Sequence, residues 1–314
     1  MIIKKYNSSF HEIWNTFIKN NLFGTVYHLR EFIEYHPEDR FIEHSILIYN
    51  EDILICILPC CEKNNKYFSY SGTTYGGPVI HKDWGVLNKM EILINVIFEY
   101  YSNKIEFRLA NDIYFNSNNI QILYFLLSQK LKMRPELSWY INSSDDFINK
   151  ILNKRNKKYL EKMIINDNIK CFITTDENDY KKFYNILKIN LNKNHFTEPT
   201  HTVDEFLDIK KRIKEYVYLF IVQENQNILG GVFTIRVTEN CLYTFYISRN
   251  INYNTCATIY AMYCISLFAK ENNINYVDYG ISTENNAKEI NYGLSDYKHI
   301  TLGGIPNYRF LFLQ

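Results

Sequence analysis

The stretch Tyr276–Gly304, YVDYGISTENNAKEINYGLSDYKHITLGG, decides how the rest of this chain is read. It begins within a short β run, Asn275–Tyr279, with Asp278 shortly before Gly280. A polar segment follows with Ser282, Thr283, Glu284, Asn285 and Asn291, and the stretch closes on Lys298 and the pair Gly303–Gly304. A strand that ends at a small residue and opens into dense hydrogen-bonding side chains is how α/β folds build ligand sites. A strand followed by an ordinary solvated loop is the competing reading of the same residues.

Working backwards, an apolar helix over Thr255–Lys270 precedes the run, and before it stand three strand-like segments, Tyr216–Gln223, Ile228–Val237 and Cys241–Ser248. Turns of three or four residues join these three, so they pair antiparallel. The helix is then a crossover that lays Asn275–Tyr279 parallel to Cys241–Ser248. Upstream lie a strand, Lys170–Thr174, and an amphipathic helix, Asp179–Lys193. A capping box, Thr202-x-x-Glu205, opens another helix that runs to about Lys214. One helix is expected over Asp146–Asn166.

The first half has the same order. Helices are expected at 8–20 and 29–36, a hairpin at Ser45–Tyr49 and Ile53–Pro59, and a strand near Tyr67–Ser71. The turn Tyr75-Gly76-Gly77-Pro78, a helix over 87–101 and the strand Lys104–Leu109 complete it. The expectation is an α/β protein with mixed sheets and two tandem domains, residues 1–143 and 144–314.

Three pieces of this sequence resemble bacterial FemAB-like proteins, double-GNAT acyltransferases found in capsule and O-antigen gene clusters. They are Asp278-x-Gly280-x-Ser282-Thr283 with Asn291-x-Gly293-Leu294-x-x-x-Lys298; the segment Lys193–Thr202, KNHFTEPTHT; and Tyr75-Gly76-Gly77-Pro78. The resemblance implies two tandem GNAT-like domains with the acceptor and catalytic signature in the second. It also implies an acyl donor in the gap between the strand before the crossover helix and the strand after it, with its pyrophosphate on amides at the helix start. The corresponding loop, Ser248–Thr255, carries Arg249 and Asn254 as donor-binding candidates. It lacks the glycines of the usual GNAT signature, a departure that FemAB-like proteins share.

Amide formation needs a base for the amine, donors for the oxyanion and a held acceptor. His201 and His195 are the natural bases because imidazole titrates near neutrality. Asp278 either assists or serves as the base itself. Lys298, Asn291, Ser282, Thr283, Glu198 and Tyr246 are the candidate acceptor contacts. Arg155 is the candidate phosphate contact on a helix with Lys150, Lys154, Lys157, Lys158 and Lys162 against the single acid Glu161. A plain solvated face accounts for that basic stripe equally simply.

Length and composition bound the answer. The 314 residues suffice for two domains, and 46% hydrophobic with 22% charged residues describes a globular chain. The abundance of Tyr (27) and Phe (21) against few Gly (11) matches an AT-rich coding bias. A net charge of +1 argues against a DNA-coating protein. The start, MIIKKYNSSFHEIW, has no apolar signal core, and no run is long enough to span a bilayer, so a cytoplasmic location is expected, with peripheral contact at the membrane left open. Seven cysteines without a C-x-x-C pair read as reduced core thiols, and no His/Asp/Glu cluster has metal-ligand spacing.

The expected function is acyl transfer, most simply of acetyl from acetyl-CoA or another acyl-CoA, to an amine of a nucleotide- or lipid-linked sugar in cell-surface polysaccharide synthesis. The resemblance leaves a second branch open, Fem-type aminoacyl transfer from charged tRNA to a peptidoglycan precursor. A protein that binds envelope precursors without chemistry is the third reading. The sugar, the acyl group and the oligomeric state are not legible. The C-terminal run Tyr308–Leu313 reads as a strand for the first domain or for another chain.

Overall fold

The computed structural model describes residues 1–37, 39–115, 120–129 and 131–313, and the side chains of Ile120 and His195 lie outside the described set. The chain forms two compact units. One comprises Met1–Glu136, Asn285–Lys288 and Tyr308–Gln314, and the other Leu137–Glu284 and Glu289–Asn307.

The first unit runs β1 (Ile2–Lys5), α1 (His11–Asn20), α2 (Arg30–Ile33), β2 (Ile42–Glu43), β3 (Ile46–Asn50), β4 (Ile53–Leu58), β5 (Cys61–Lys63), β6 (Lys66–Phe68), β7 (Val79–Ile80), α3 (Leu87–Tyr100), β8 (Ile105–Arg108), α4 (Ile120–Ser128) and the start of β9 (Lys132–Asn142). Helix spacing explains the core: Met90, Leu93, Ile94, Ile97 and Phe98 of α3 are buried together against Ile46, Ile48, Ile55 and Leu58 of the hairpin and Phe107 of β8. The sheet order β1-β3-β4-β7 is antiparallel, and β6 pairs with β8 in parallel. The C-terminal run pairs with β8 of this unit, Leu311 opposite Arg108 and Phe312 opposite Phe107.

A buried histidine marks the turn at Tyr75–Pro78. His28 Nδ1 is 2.8 Å from Thr25 Oγ1, and burial pushes the imidazole down to about 4, against the opposing pull of a Gly77 backbone bond. A histidine held neutral in the fold but free to charge when unfolded stabilises the protein above about pH 6.5, and that stability drains as pH falls toward 4. The loss amounts to about 3 kcal/mol. Melting temperatures measured across this window are expected to fall with a slope that flattens in His28→Gln; equal slopes in both proteins would remove His28 as the cause.

The second unit continues with α5 (Phe147–Lys150), α6 (Lys154–Ile164), β10 (Ile169–Thr174), α7 (Glu177–His195), α8 (Val203–Arg212), β11 (Val217–Glu224), β12 (Asn227–Thr238), β13 (Cys241–Arg249), α9 (Ala257–Glu271), β14 (Tyr276–Ile281), β15 (Thr283–Glu284), β16 (Glu289–Ile290), α10 (Tyr292–Asp296) and the start of β17 (Ile305–Leu313), whose remainder belongs to the first unit. The strand order is β10-β11-β12-β13-β14-β9, antiparallel except for β13 and β14. Helix α9 buries Ala261, Met262, Ile265 and Ala269 against Val232, Leu242 and Val277 of the sheet. On the other face, Tyr180 and Phe183 of α7 pack with Phe206 of α8 near Phe233. The capping box forms as its spacing requires: Glu205 N–H donates to Thr202 Oγ1, and Thr202 N–H to the Glu205 carboxylate.

The expected single helix over Asp146–Asn166 is broken. Asn153 accepts from the N–H groups of Arg155 and Asn156, so it caps a new helix, and the amides of Leu152 and Asn153 donate to Ile300 O. All seven cysteines are free thiols. Among the described residues no helix is long and apolar enough to cross a membrane, and no group of three His, Cys, Asp or Glu side chains is placed to hold a metal.

Candidate functional site

The central feature of the second unit is a fork in its sheet. Strands β13 and β14 pair at three positions only, Cys241–Tyr276, Leu242–Val277 and Tyr243–Asp278. Beyond them β13 stays with β12 as far as Arg249 opposite Gly230. Meanwhile β14 follows β9, with Gly280 opposite Trp139 and Ile281 opposite Ser138. Two parallel strands that part leave backbone facing a gap, the usual place for a ligand in such sheets.

Gly280 sits where β14 turns away. Its φ is +73°, and a Cβ there would lie 2.9 Å from the Tyr243 hydroxyl, so only glycine serves. Asp278, 2% exposed, braces the same irregularity: its Oδ1 accepts the Gly280 N–H at 2.6 Å, and its carbonyl accepts from Thr244 Oγ1. One oxygen of the carboxylate, Oδ1, is therefore engaged in holding the fork open.

Past Gly280 the signature becomes a cradle. Lys298 is buried, and its ammonium donates to Ile281 O at 2.6 Å. Ser282 N–H donates to Leu137 O, and Ser282 O accepts from Asn291 N. Three buried polar atoms in this neighbourhood have no hydrogen-bond partner: Ser282 Oγ, Thr283 Oγ1 and Trp139 Nε1. Each such group costs about 1–3 kcal/mol, which a folded chain tolerates where a polar ligand or water completes the bonding. The Trp139 ring stacks on His299 at 4.9 Å.

Asn291 is occupied elsewhere. Its Oδ1 caps α10 at Leu294 N, and its Nδ2 donates to Glu284 Oε1 at 2.7 Å. It closes the loop that carries Ser282. Glu198 is a surface group tied to α7 through Asn192 and Lys188.

His201 is buried in an aromatic nest of Phe245 and Tyr246. Its Nδ1 is 2.6 Å from the Tyr246 hydroxyl, and its carbonyl accepts from Tyr184. Burial pushes the Tyr246 phenol up to about 12, while bonds from the His201 backbone and the Thr200 side chain pull it down. The imidazole and the phenol therefore form one buried pair, in which either ring can donate according to the histidine tautomer. His195 is the last residue of α7; its side chain is outside the described residues.

A second cluster lies at the start of α9. The helix has 15 residues, with Cys256 at its N-cap, no capping side chain and no acid in its first turn, so its positive end is uncompensated. Burial raises the Cys256 thiol, and Arg249 and then Arg155 pull it down, which places both guanidinium groups within electrostatic reach of the helix start. Thr255 Oγ1 is buried without a partner there, and Tyr297 donates to Thr258 Oγ1 at 2.8 Å. Asn254 is exposed in the loop between. The structure thus brings Arg155, distant in sequence, within electrostatic reach of the helix start beside the loop that carries Arg249 and Asn254.

The glycine absent from that loop is found in β12 instead. A Cβ on Gly230 would lie 2.8 Å from Ser248 O and 3.2 Å from Ala257 Cβ, so Gly230 lets the end of β13 and the start of α9 close on each other. A Gly-Gly pair inside a strand pattern is the signal that marks such an approach. Trp139 also escaped sequence reasoning, although the alternation Leu137, Trp139, Ile141 in β9 is a trace that points to it.

Helices on both faces and a parallel pair forking beside a crossover helix, in a chain of two compact units, match the fold of FemAB-like, tandem-GNAT proteins. The crystal structure of FemX superposes with a TM-score of 0.71 at 12% identity, over 100% of this chain and 98% of that one. L-PGS from Bacillus licheniformis gives 0.62 at 8% identity over 100% and 94%. A tandem GNAT protein from the clavulanic acid biosynthesis pathway gives 0.53 at 6% over 99% and 97%. At these identities the likeness is one of fold. No protein-family model and no curated sequence matches the chain.

Proposed function

We propose that the protein is an acyltransferase that moves an acyl group from acyl-CoA to the amine of a nucleotide- or lipid-linked sugar used in cell-surface polysaccharide synthesis. The observation that carries this reading is the fork between β13 and β14 with the buried Lys298 ammonium on its rim. The pyrophosphate of the donor rests at the start of α9 against Arg249 and Arg155, and the acyl carbonyl lies in the fork. The amine lone pair attacks the carbonyl carbon, and the oxyanion forms beside Lys298, which Ile281 O aims. As the intermediate collapses the C–S bond breaks. The amine proton passes by way of Asp278 to the departing thiolate, leaving an amide and free CoA. Ser282, Thr283 and Trp139 supply the hydrogen bonds that hold the acceptor, with His201 fixing Tyr246 at the wall.

One observation favours a second donor. The loop Asn250–Thr255 has no glycine to let backbone wrap a pyrophosphate, whereas two arginines and a helix start suit any phosphate, including the terminal phosphates of aminoacyl-tRNA. Ester C–O cleavage would then free a ribose hydroxyl. Thermal melting separates the two. A ligand present at about 100 times its Kd stabilises by roughly 2.7 kcal/mol. Acetyl-CoA is expected to raise the melting temperature, with thiol release once the correct amino sugar is added. A shift with charged tRNA alone transfers the reading to the second donor, and no shift with either ends the acyl-transfer reading.

A further inference from the structure

Helix α6 presents a surface that the proposed chemistry does not use. Successive helical residues are about 100° apart, so Lys154, Lys158 and Lys162 fall with Ile165 inside an arc of roughly 80°. Leu160 and Met163 on the opposite side are buried, which turns that arc to solvent. Among the described residues these three lysines form no ion pair, and the one acid within the helix is Glu161. Ile165, 79% exposed, stands at the C-terminal end of the basic stripe. At the other end of the helix Leu152, 59% exposed, is held by the hydrogen bond from its amide to Ile300 O.

A solvated face explains the lysines but not an isoleucine left in water beside them. A nucleic acid would meet the charge yet has no use for aliphatic side chains at both ends of the stripe. An anionic lipid surface uses both, since lysines meet headgroup phosphates while short apolar side chains enter the acyl boundary. We propose that the α6 face, Lys154, Lys158 and Lys162 with Ile165 and Leu152, docks the protein on an anionic membrane surface. Several lysines and an inserted isoleucine together support reversible, salt-sensitive association. The inference stands apart from the identity of the acyl donor.

The test is co-sedimentation of the full chain with vesicles of phosphatidylcholine alone or mixed equally with phosphatidylglycerol, beside a filter-binding assay with polyuridylic RNA. Binding is expected to the mixed vesicles only and to weaken with salt. Lys158→Ala and Lys162→Ala each reduce partitioning about fivefold, the equivalent of ~1 kcal/mol. Ile165→Ser reduces it at least tenfold, or ~1.5 kcal/mol, with an unchanged melting temperature because the position is exposed. Absence of binding, equal binding to both vesicles, or indifference to Ile165→Ser overturns the proposal. So does RNA binding that needs the same lysines while the vesicles go unbound.

Discussion

Lys298→Met lowers turnover by about 10²–10³-fold, the loss measured when one oxyanion donor is removed from acyl-transfer sites. The expectation follows from burial and aim. Lys298 is 4% exposed, and its bond to Ile281 O points the ammonium at the residue where β14 leaves the fork. Methionine keeps most of the volume and removes the charge. Because the amine is also tied to Ile281, the variant loses some stability, so turnover is read beside the melting temperature and well below it. Lys298→Arg provides a second handle: a longer, planar cation restores charge without geometry, and partial recovery is expected. Turnover of a folded Lys298→Met protein within threefold of the parent would remove Lys298 from the chemistry. An unchanged kcat with a raised KM would instead make it a binding group.

Arg309→Ala is expected to be the most damaging single change to the first unit. Arg309 and Glu136 are 6% and 3% exposed, joined at 2.6 Å, and Arg309 also donates to Thr74 O at 2.7 Å. Removing the cation strands a buried carboxylate and a carbonyl beside the Tyr75–Pro78 turn. Breaking such a pair from one side costs about 3–5 kcal/mol. That corresponds to a fall of about 10 °C in melting temperature for a domain of this size. The double change Arg309→Leu with Glu136→Leu leaves no orphan charge and is expected to recover most of the loss. Calorimetry of the two variants decides the matter: equal melting temperatures in parent and Arg309→Ala would show that the pair contributes nothing.

Periodicity and turn chemistry made much of the fold legible. The antiparallel run β11-β12-β13, the crossover α9 and the parallel β14 follow from short turns and one apolar helix, because those signals are local. The capping box at Thr202 and Glu205 was equally direct. Local signals failed at α5 and α6, where Asn153 and a long-range bond to Ile300 O overrode a continuous helical pattern. They failed also at β9, where Pro135 within Lys132–Asn142 obscured a strand that pairs with β14.

For the site, the sequence by itself determined which residues follow β14 and that β13 and β14 run parallel, while the gap between them was implied only by the resemblance to FemAB-like proteins. Only the tertiary structure decided what those residues do. Asn291 spends both ends of its side chain on the loop, Asp278 braces Gly280, and His201 pairs through Nδ1 with the Tyr246 hydroxyl. Arg155 and Arg249 both come within electrostatic reach of Cys256 at the start of α9. The reason is physical. Residue type and spacing specify what a side chain can donate or accept, whereas its actual partner depends on burial and on chain that returns from far away. Ionisation, tautomer and unsatisfied hydrogen bonds are properties of that assembled environment.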